Sequence, residues 1–365
     1  MMFRNLFVLV IMALLFTACS DDDDGNGVNL DPVVMDVEVG GPTEPFSVYV
    51  NLETSEQTLV ARDSWDLGFY SGESGYRVVL NPGAFMMAQS TEKNDITAVG
   101  PQDTVDLINQ MDQFAIFNAV LENPRPDWLQ ESQNWIDNSN GDLDQTAINA
   151  VSENSDQNVV HIVNRGWGVQ DNPRGWMKVK VNIVDGNYQL QYALIDSDDF
   201  QTVEIPKRNG YNFNFFNFDT GIVDVEPPKD EWQLAFSSGL ALFRFAGVLV
   251  PYAFRDYVFH NRHGVEVAEI LFEDEDVNIL DEYNSFGAGN LADDNVEYHT
   301  DISTIGSGWR TIGNPQFGGE TAVRSDRFYV VKTADDVFYK LIFVGLLSET
   351  GERGHPSILF ERLTI

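Results

Sequence analysis

The chain has 365 residues, 43% of them hydrophobic and 12% aromatic, and its 57 acidic against 22 basic residues give a formal charge of −35. That apolar content is too high for a disordered acidic chain, and a polyanion of this size repels phosphate backbones, so no nucleic acid is expected as a partner. A single cysteine, Cys19, excludes an intramolecular disulfide framework and any multi-cysteine metal cluster.

The first segment in chain order is a targeting one. Arg4 precedes an apolar run from Leu6 to Phe16, which is too short for a spanning helix of roughly 20 residues. Thr17 and Ala18 then precede Cys19. Residues 1–18 read as a lipoprotein signal peptide, and Cys19 stands where such a chain is cleaved and acylated. Asp21 to Asp24 follow, and 19–45 reads as an acidic flexible tether, rich in Asp, Gly, Asn and Pro and without periodicity.

From Phe46 onward the dominant pattern is alternation, which predicts a mainly β protein. Residues 103–121 and 127–136 are the helical exceptions, with Asp103 or Thr104 as the expected cap of the first. Met177–Ile183 and Tyr188–Leu194 alternate around the turn Asp185-Gly186, a hairpin signal. A second hairpin runs from Phe328 to Thr333 and returns from Val337 to Leu346. Tyr211–Phe218 reads as an aromatic strand, with Phe213 and Phe215 packed and its asparagines on a wet face.

The two halves repeat. Residues 49–69 and 215–236 both run from an aromatic strand through a turn to a Trp-x-Leu-x-Phe sequence, at Trp65 and Trp232. Each then reaches Val-x-x-Asn, at Val78–Asn81 and Val258–Asn261. The expected organisation is an N-terminal β unit with a helical insert at 46–206 and a C-terminal β unit at 207–365.

Chemistry-bearing motifs are sparse. There is no Gly-x-Ser-x-Gly elbow, no phosphate-cradling loop and no His-Glu-x-x-His, so an enzyme is not expected. His260 and His263 lie three apart beside a strand end, either polar loop residues or ligands brought together by a turn. His161 and His355 read as structural residues. Met86 and Met87 are either core fillers or soft metal ligands. Asp137–Asp142 has the hard oxygens and turn glycine of a calcium loop, or is a solvated turn. Trp128, Trp135, Trp167 and Trp176 offer flat faces for a sugar or a macrocycle, or fill the core.

In combination these features resemble the HmuY family of Bacteroidota haem-binding lipoproteins, in particular its longer, flavobacterial-type members. The likeness is carried by DSWDLGF and RVVLN between Asp63 and Asn81, and by DEWQLAF and YVFHN between Asp230 and Asn261. FYVVKTADDVFYKLIFVGL, Phe328 to Leu346, and the closing strand Ser357–Leu363 complete it. The resemblance implies an HmuY-like all-β fold with one haem at a cleft, the C-terminal half following the family domain and the N-terminal half a degenerate copy. It implies non-enzymatic haem capture for iron acquisition, with transfer to a TonB-dependent outer-membrane receptor. The acidic run after Cys19 resembles a surface-export tether, implying an outer-membrane lipoprotein exposed at the cell surface through the lipid on Cys19. Candidate haem-binding residues are His263, His299, His260, Met86 and Met87, and candidate propionate-binding residues are Arg255, Arg262 and Arg310. One family ligand lies just past a Gly-Trp, where this chain has Gly308-Trp309 and then Asn314 in place of a histidine. The alternative is a surface module for a glycan or a partner outer-membrane protein that has lost haem ligation.

Overall fold

The computed structural model describes residues 31–273, 277–293, 296–313 and 318–364. Cys19, the signal segment and Asn314 lie outside them. The strands of the first half are β1 (Val33–Asp36), β2 (Phe46–Val50), β3 (Gln57–Ala61), β4 (Leu67–Tyr70), β5 (Val78–Leu80) and β6 (Met87–Ser90), followed by α1 (Gln113–Val120). Then come β7 (His161–Asn164), β8 (Trp176–Val184), β9 (Asn187–Leu194) and β10 (Gln201–Ile205). The second half opens with β11 (Phe213–Asn217), β12 (Gly221–Val223), β13 (Leu234–Phe245), β14 (Val248–His260) and β15 (Glu266–Leu271). It continues through α2 (Ile279–Ser285), β16 (Arg310–Thr311) and β17 (Ala322–Val323) to β18 (Arg327–Lys332), β19 (Phe338–Gly345) and β20 (Ser357–Leu363). The fold class is mainly β, as the alternation requires.

The β8–β9 hairpin turns on Asp185 and Gly186, both with positive φ, the conformation that Asp-Gly favours in a two-residue turn. The β18–β19 hairpin also matches its pattern. In the insert, α1 starts at Gln113 rather than near Asp103. The cap is Asp112, whose side chain accepts from Phe114 and Ala115 N–H, and the preceding residues form 3₁₀ turns instead. Residues 127–135 are also 3₁₀ helix.

One five-stranded sheet, β10-β9-β8-β7-β6, lies within the first half. The other, β1-β20-β19-β18-β15, takes its edge strand from Val33–Asp36, so this part of the expected tether 19–45 is a paired strand with Met35, Val37 and Val39 buried in the C-terminal core rather than flexible linker. Two four-stranded sheets cross the halves, because they run β12-β11-β4-β5 and β14-β13-β2-β3. The opening hairpin of each half therefore pairs with the Trp-x-Leu strand of the other. Registers match: Leu234 pairs with Val50 just as Leu67 pairs with Phe216. Asn81 Nδ2 donates to the Arg62 and Trp65 carbonyls at 2.8 and 2.9 Å, and Asn261 Nδ2 donates to Lys229 and Trp232 at 2.7 and 2.8 Å. Gln233 Oε1 accepts from Leu52 N–H at 2.7 Å, and Asp66 Oδ2 accepts from Phe218 N–H at 2.9 Å. A boundary at 206/207 thus separates the repeats in sequence, but not the sheets in space.

This exchange corrects the wet face expected for β11. The strand sits inside its sheet, with Phe213 and Phe215 in one apolar cluster and Phe216 and the following Phe218 in another. Asn214 and Asn217 are buried too, and donate to the Pro206 and Ser64 carbonyls, each at 2.8 Å.

Candidate functional site

The exchanged hairpins bring the two repeat tryptophans together around one cavity of about 170 Å³. Tyr49 of β2 meets Trp232 edge-on at 5.0 Å, and Phe215 of β11 meets Trp65 edge-on at 4.7 Å. These pairs are equivalent positions of the repeat, so the cavity is walled by two related aromatic corners. Val79 and Leu80 of β5, Ala235 and Leu240 of β13, and Phe259 of β14 complete the apolar lining. The segment 136–146 forms part of the rim. It is tied to the C-terminal half by Ile302 N–H to the Asn140 carbonyl at 3.0 Å and by Arg262 to the Gly141 carbonyl at 3.1 Å.

Charged groups enter this apolar wall. Glu226 accepts from Phe213 N–H at 2.8 Å and from Asn212 Nδ2 at 3.2 Å. Burial pushes its carboxyl up to about 7 against the pull of those bonds. Asp137 accepts from Leu80 N–H at 2.6 Å and from Ala147 N–H at 2.9 Å, and burial pushes it up to about 6. Arg262 lies over the Phe213 ring at 4.9 Å, with its pKa lowered by burial. The Trp232 indole N–H is buried and finds no acceptor among the described residues.

Three of the haem and propionate candidates line this cavity: His260, Met86 and Arg262. The others stand elsewhere. His263 is half-exposed on the turn after β14, its Nε2 3.1 Å from Asp230 Oδ1. His299 is exposed, and its backbone bridges Val267 at the β15 edge. Met87 is fully buried in the core under α1. Arg255 and Arg310 belong to a second cluster. There Arg310 and Arg353 meet Asp256, Arg310 also donates to the Arg255 carbonyl, and Arg255 donates to the Thr43 carbonyl.

The side chains at the cavity do not fit axial haem. His260 Nε2 lies 2.7 Å from the Asp301 carbonyl and Nδ1 lies 3.3 Å from that of Asn261, so both ring nitrogens face oxygen acceptors. Met86 is only 1% exposed and packs into the core beneath the cavity. A cavity of roughly 150 Å³ is filled by benzene, and haem is several times larger.

The tryptophans resolve as packing residues rather than an open platform. Trp135 is buried, stacks on Trp128 at 5.8 Å and donates to Gln89 Oε1 at 2.5 Å. Trp167 and Trp176 pack on the same core. Asp142 spends its oxygens on Asp144 N–H and Gln145 Nε2, closing a turn rather than presenting them together with Asp137. Among the described residues no group of three His, Cys, Asp or Glu is arranged to hold a metal ion. His161 is a buried strand residue that accepts from Asn149 N–H at 3.3 Å. Beside the cavity a wider groove of about 860 Å³ is lined by polar side chains, among them Gln89, Gln133, Asn134, Asn138, Asn140 and Gln145.

Glu226 and Asn212 were not singled out from sequence. A single buried acid among 57 carries no local mark. The repeat tryptophans are visible in the sequence, and they form two of the cavity's walls.

The mainly β fold thus interleaves the hairpins of its two repeats around one half-open, aromatic-walled cavity. The family model described as HmuY protein matches residues 44–360, and the chain belongs to that family. Among solved structures it is similar to the apo HmuY analog of Tannerella forsythia, at 9% identity and a TM-score of 0.28, covering 94% of this chain and all of that one. It is also similar to apo PinO from Porphyromonas gingivitis, at 14% identity and a TM-score of 0.20, covering 46% of this chain and 86% of that one. No curated protein matches.

Proposed function

We propose that this chain is a non-enzymatic surface lipoprotein that binds a small organic ligand in the aromatic cavity, rather than haem on axial side chains. The observation that carries this reading is the cavity itself. Two equivalent aromatic corners wall it, while the one histidine on its wall has both nitrogens turned to carbonyl oxygens. Cys19 supplies the anchor to the outer membrane, and the acidic residues after it support display at the surface. Such a position suits delivery to a TonB-dependent outer-membrane receptor. Replacing Cys19 with alanine is expected to move the chain from the membrane to the soluble fraction.

Thermal-shift screening of compounds of about six to twelve heavy atoms, a size matched to the cavity, tests the binding reading. Ligands that raise the Tm of the wild type are expected to lose that effect in Leu143→Trp, which narrows the mouth. A screen without a cavity-dependent ligand overturns the proposal. An oligosaccharide whose effect survives Leu143→Trp also overturns it, and moves binding to the amide-lined groove.

A further inference from the structure

Resting on the cavity as the binding site, we propose that its ligand is a small organic cation, of the amino-alcohol class.

The walls present aromatic rings from several directions: Tyr49, Trp65, Trp232, Phe213 and Phe215. Ring faces carry negative charge density and attract ammonium and guanidinium groups, most strongly where water is excluded. The cavity wall already uses this attraction, in Arg262 over Phe213.

The charge count on the wall points the same way. Glu226 is buried there and Asp137 half-buried, and among the described residues Arg262 is the single arginine or lysine that lines the cavity. Burial lowers the pKa of His260, which disfavours a positive charge on its ring. Above the raised values of both carboxyls, near pH 8, two carboxylates stand against one guanidinium and leave one negative charge uncompensated. Asp142, on the exposed rim, adds another at the mouth. An anion entering this site meets a net negative wall, and an uncharged ligand leaves the imbalance in place. A cation corrects it.

The remaining feature narrows the class. Trp232 is one of the residues lining the cavity, and its indole N–H is buried without a partner among the described residues. A buried donor without an acceptor is unfavourable. A ligand carrying a hydroxyl or ether oxygen near its cationic centre supplies one. The volume limits the whole ligand to about the size of benzene or slightly more.

Isothermal titration with a charge series of one shape tests this. Choline is the cation, 3,3-dimethylbutan-1-ol the neutral isostere and 3,3-dimethylbutanoate the anion. Choline is expected to bind, the neutral isostere at least about tenfold more weakly, and the anion not detectably. Glu226→Gln is expected to weaken choline about tenfold and leave the neutral isostere unchanged. Asp137→Asn gives an independent second variant, and circular dichroism confirms that each is folded. Equal affinity for choline and its neutral isostere overturns the cationic assignment while leaving the cavity as a small-ligand site. Absence of binding by all three overturns the assignment, and together with a blank thermal-shift screen it overturns the cavity reading as well.

Discussion

Asp66→Ala is expected to lower stability by roughly 3–5 kcal/mol, the range for stripping one partner from a buried ionic network. The Asp66 side chain is fully buried and receives both forks of Arg165 at 3.0 Å, Arg174 at 2.9 Å and the N–H of Phe218 at 2.9 Å. Without it, Arg174 loses its carboxylate and Arg165 keeps only the exposed Asp219. The Gln233 equivalent in the other repeat performs the backbone part of this work uncharged, which separates the two contributions. Asp66→Asn retains an acceptor for Phe218 but not the charge. It is therefore expected to lose most of the same stability, with a fall in Tm of about 5 °C for the alanine variant. Denaturant unfolding measures both. An Asp66→Asn protein within about 0.5 kcal/mol of wild type, the usual spread for inconsequential substitutions, contradicts the ionic account.

Between pH 8.5 and 6.5 the protein is expected to become more stable as pH falls. Glu44 is buried under Asp256 N–H and Ser238 Oγ, and burial pushes its carboxyl up to about 8, with the Asp256 charge adding to the rise. Glu226 is pushed up to about 7 by burial. A carboxyl raised above its unfolded value contributes stability that is complete below the unfolded pKa. That contribution is lost as pH rises through the folded one. The buried histidines act in the opposite sense, because burial lowers the pKa of His161 to about 4 and also lowers that of His260. Their contribution is present above about 6.5 and fades only below it. The two carboxyls therefore govern this window and together supply roughly 2–3 kcal/mol across it. Glu44→Gln is expected to remove about two-thirds of the slope. A stability curve that is flat, or that rises toward pH 8.5, contradicts the assignment.

Much of this architecture was legible from residues alone. Alternation around Asp185-Gly186 gave the β8–β9 hairpin, and the Trp65 and Trp232 segments revealed the repeat. The two Val-x-x-Asn asparagines even make the same pair of bonds. The exchange of hairpins was not legible, because a strand's own periodicity does not name its partner. The same gap explains β11. Its asparagines looked solvated because alternation assumes one wet face, whereas a strand covered on both sides buries Asn214 and Asn217 against carbonyls. The first helix began late because Asp112, not Asp103, lies where its side chain reaches free N–H groups.

The site divides in the same manner. Sequence picked out Met86, His260 and Arg262, which meet at one cavity. It could not show that the imidazole of His260 is held by the Asp301 carbonyl from a distant loop. Nor could it separate Arg262 from Arg255 and Arg310, which the fold gathers near Asp256 instead.

The most direct measurement is a hemin titration of the mature chain followed at the Soret band. The account predicts no saturable shift from the free-hemin position, and no change on replacing His260 with alanine. A saturable one-to-one shift that His260→Ala or Met86→Leu abolishes would contradict it and restore haem as the ligand.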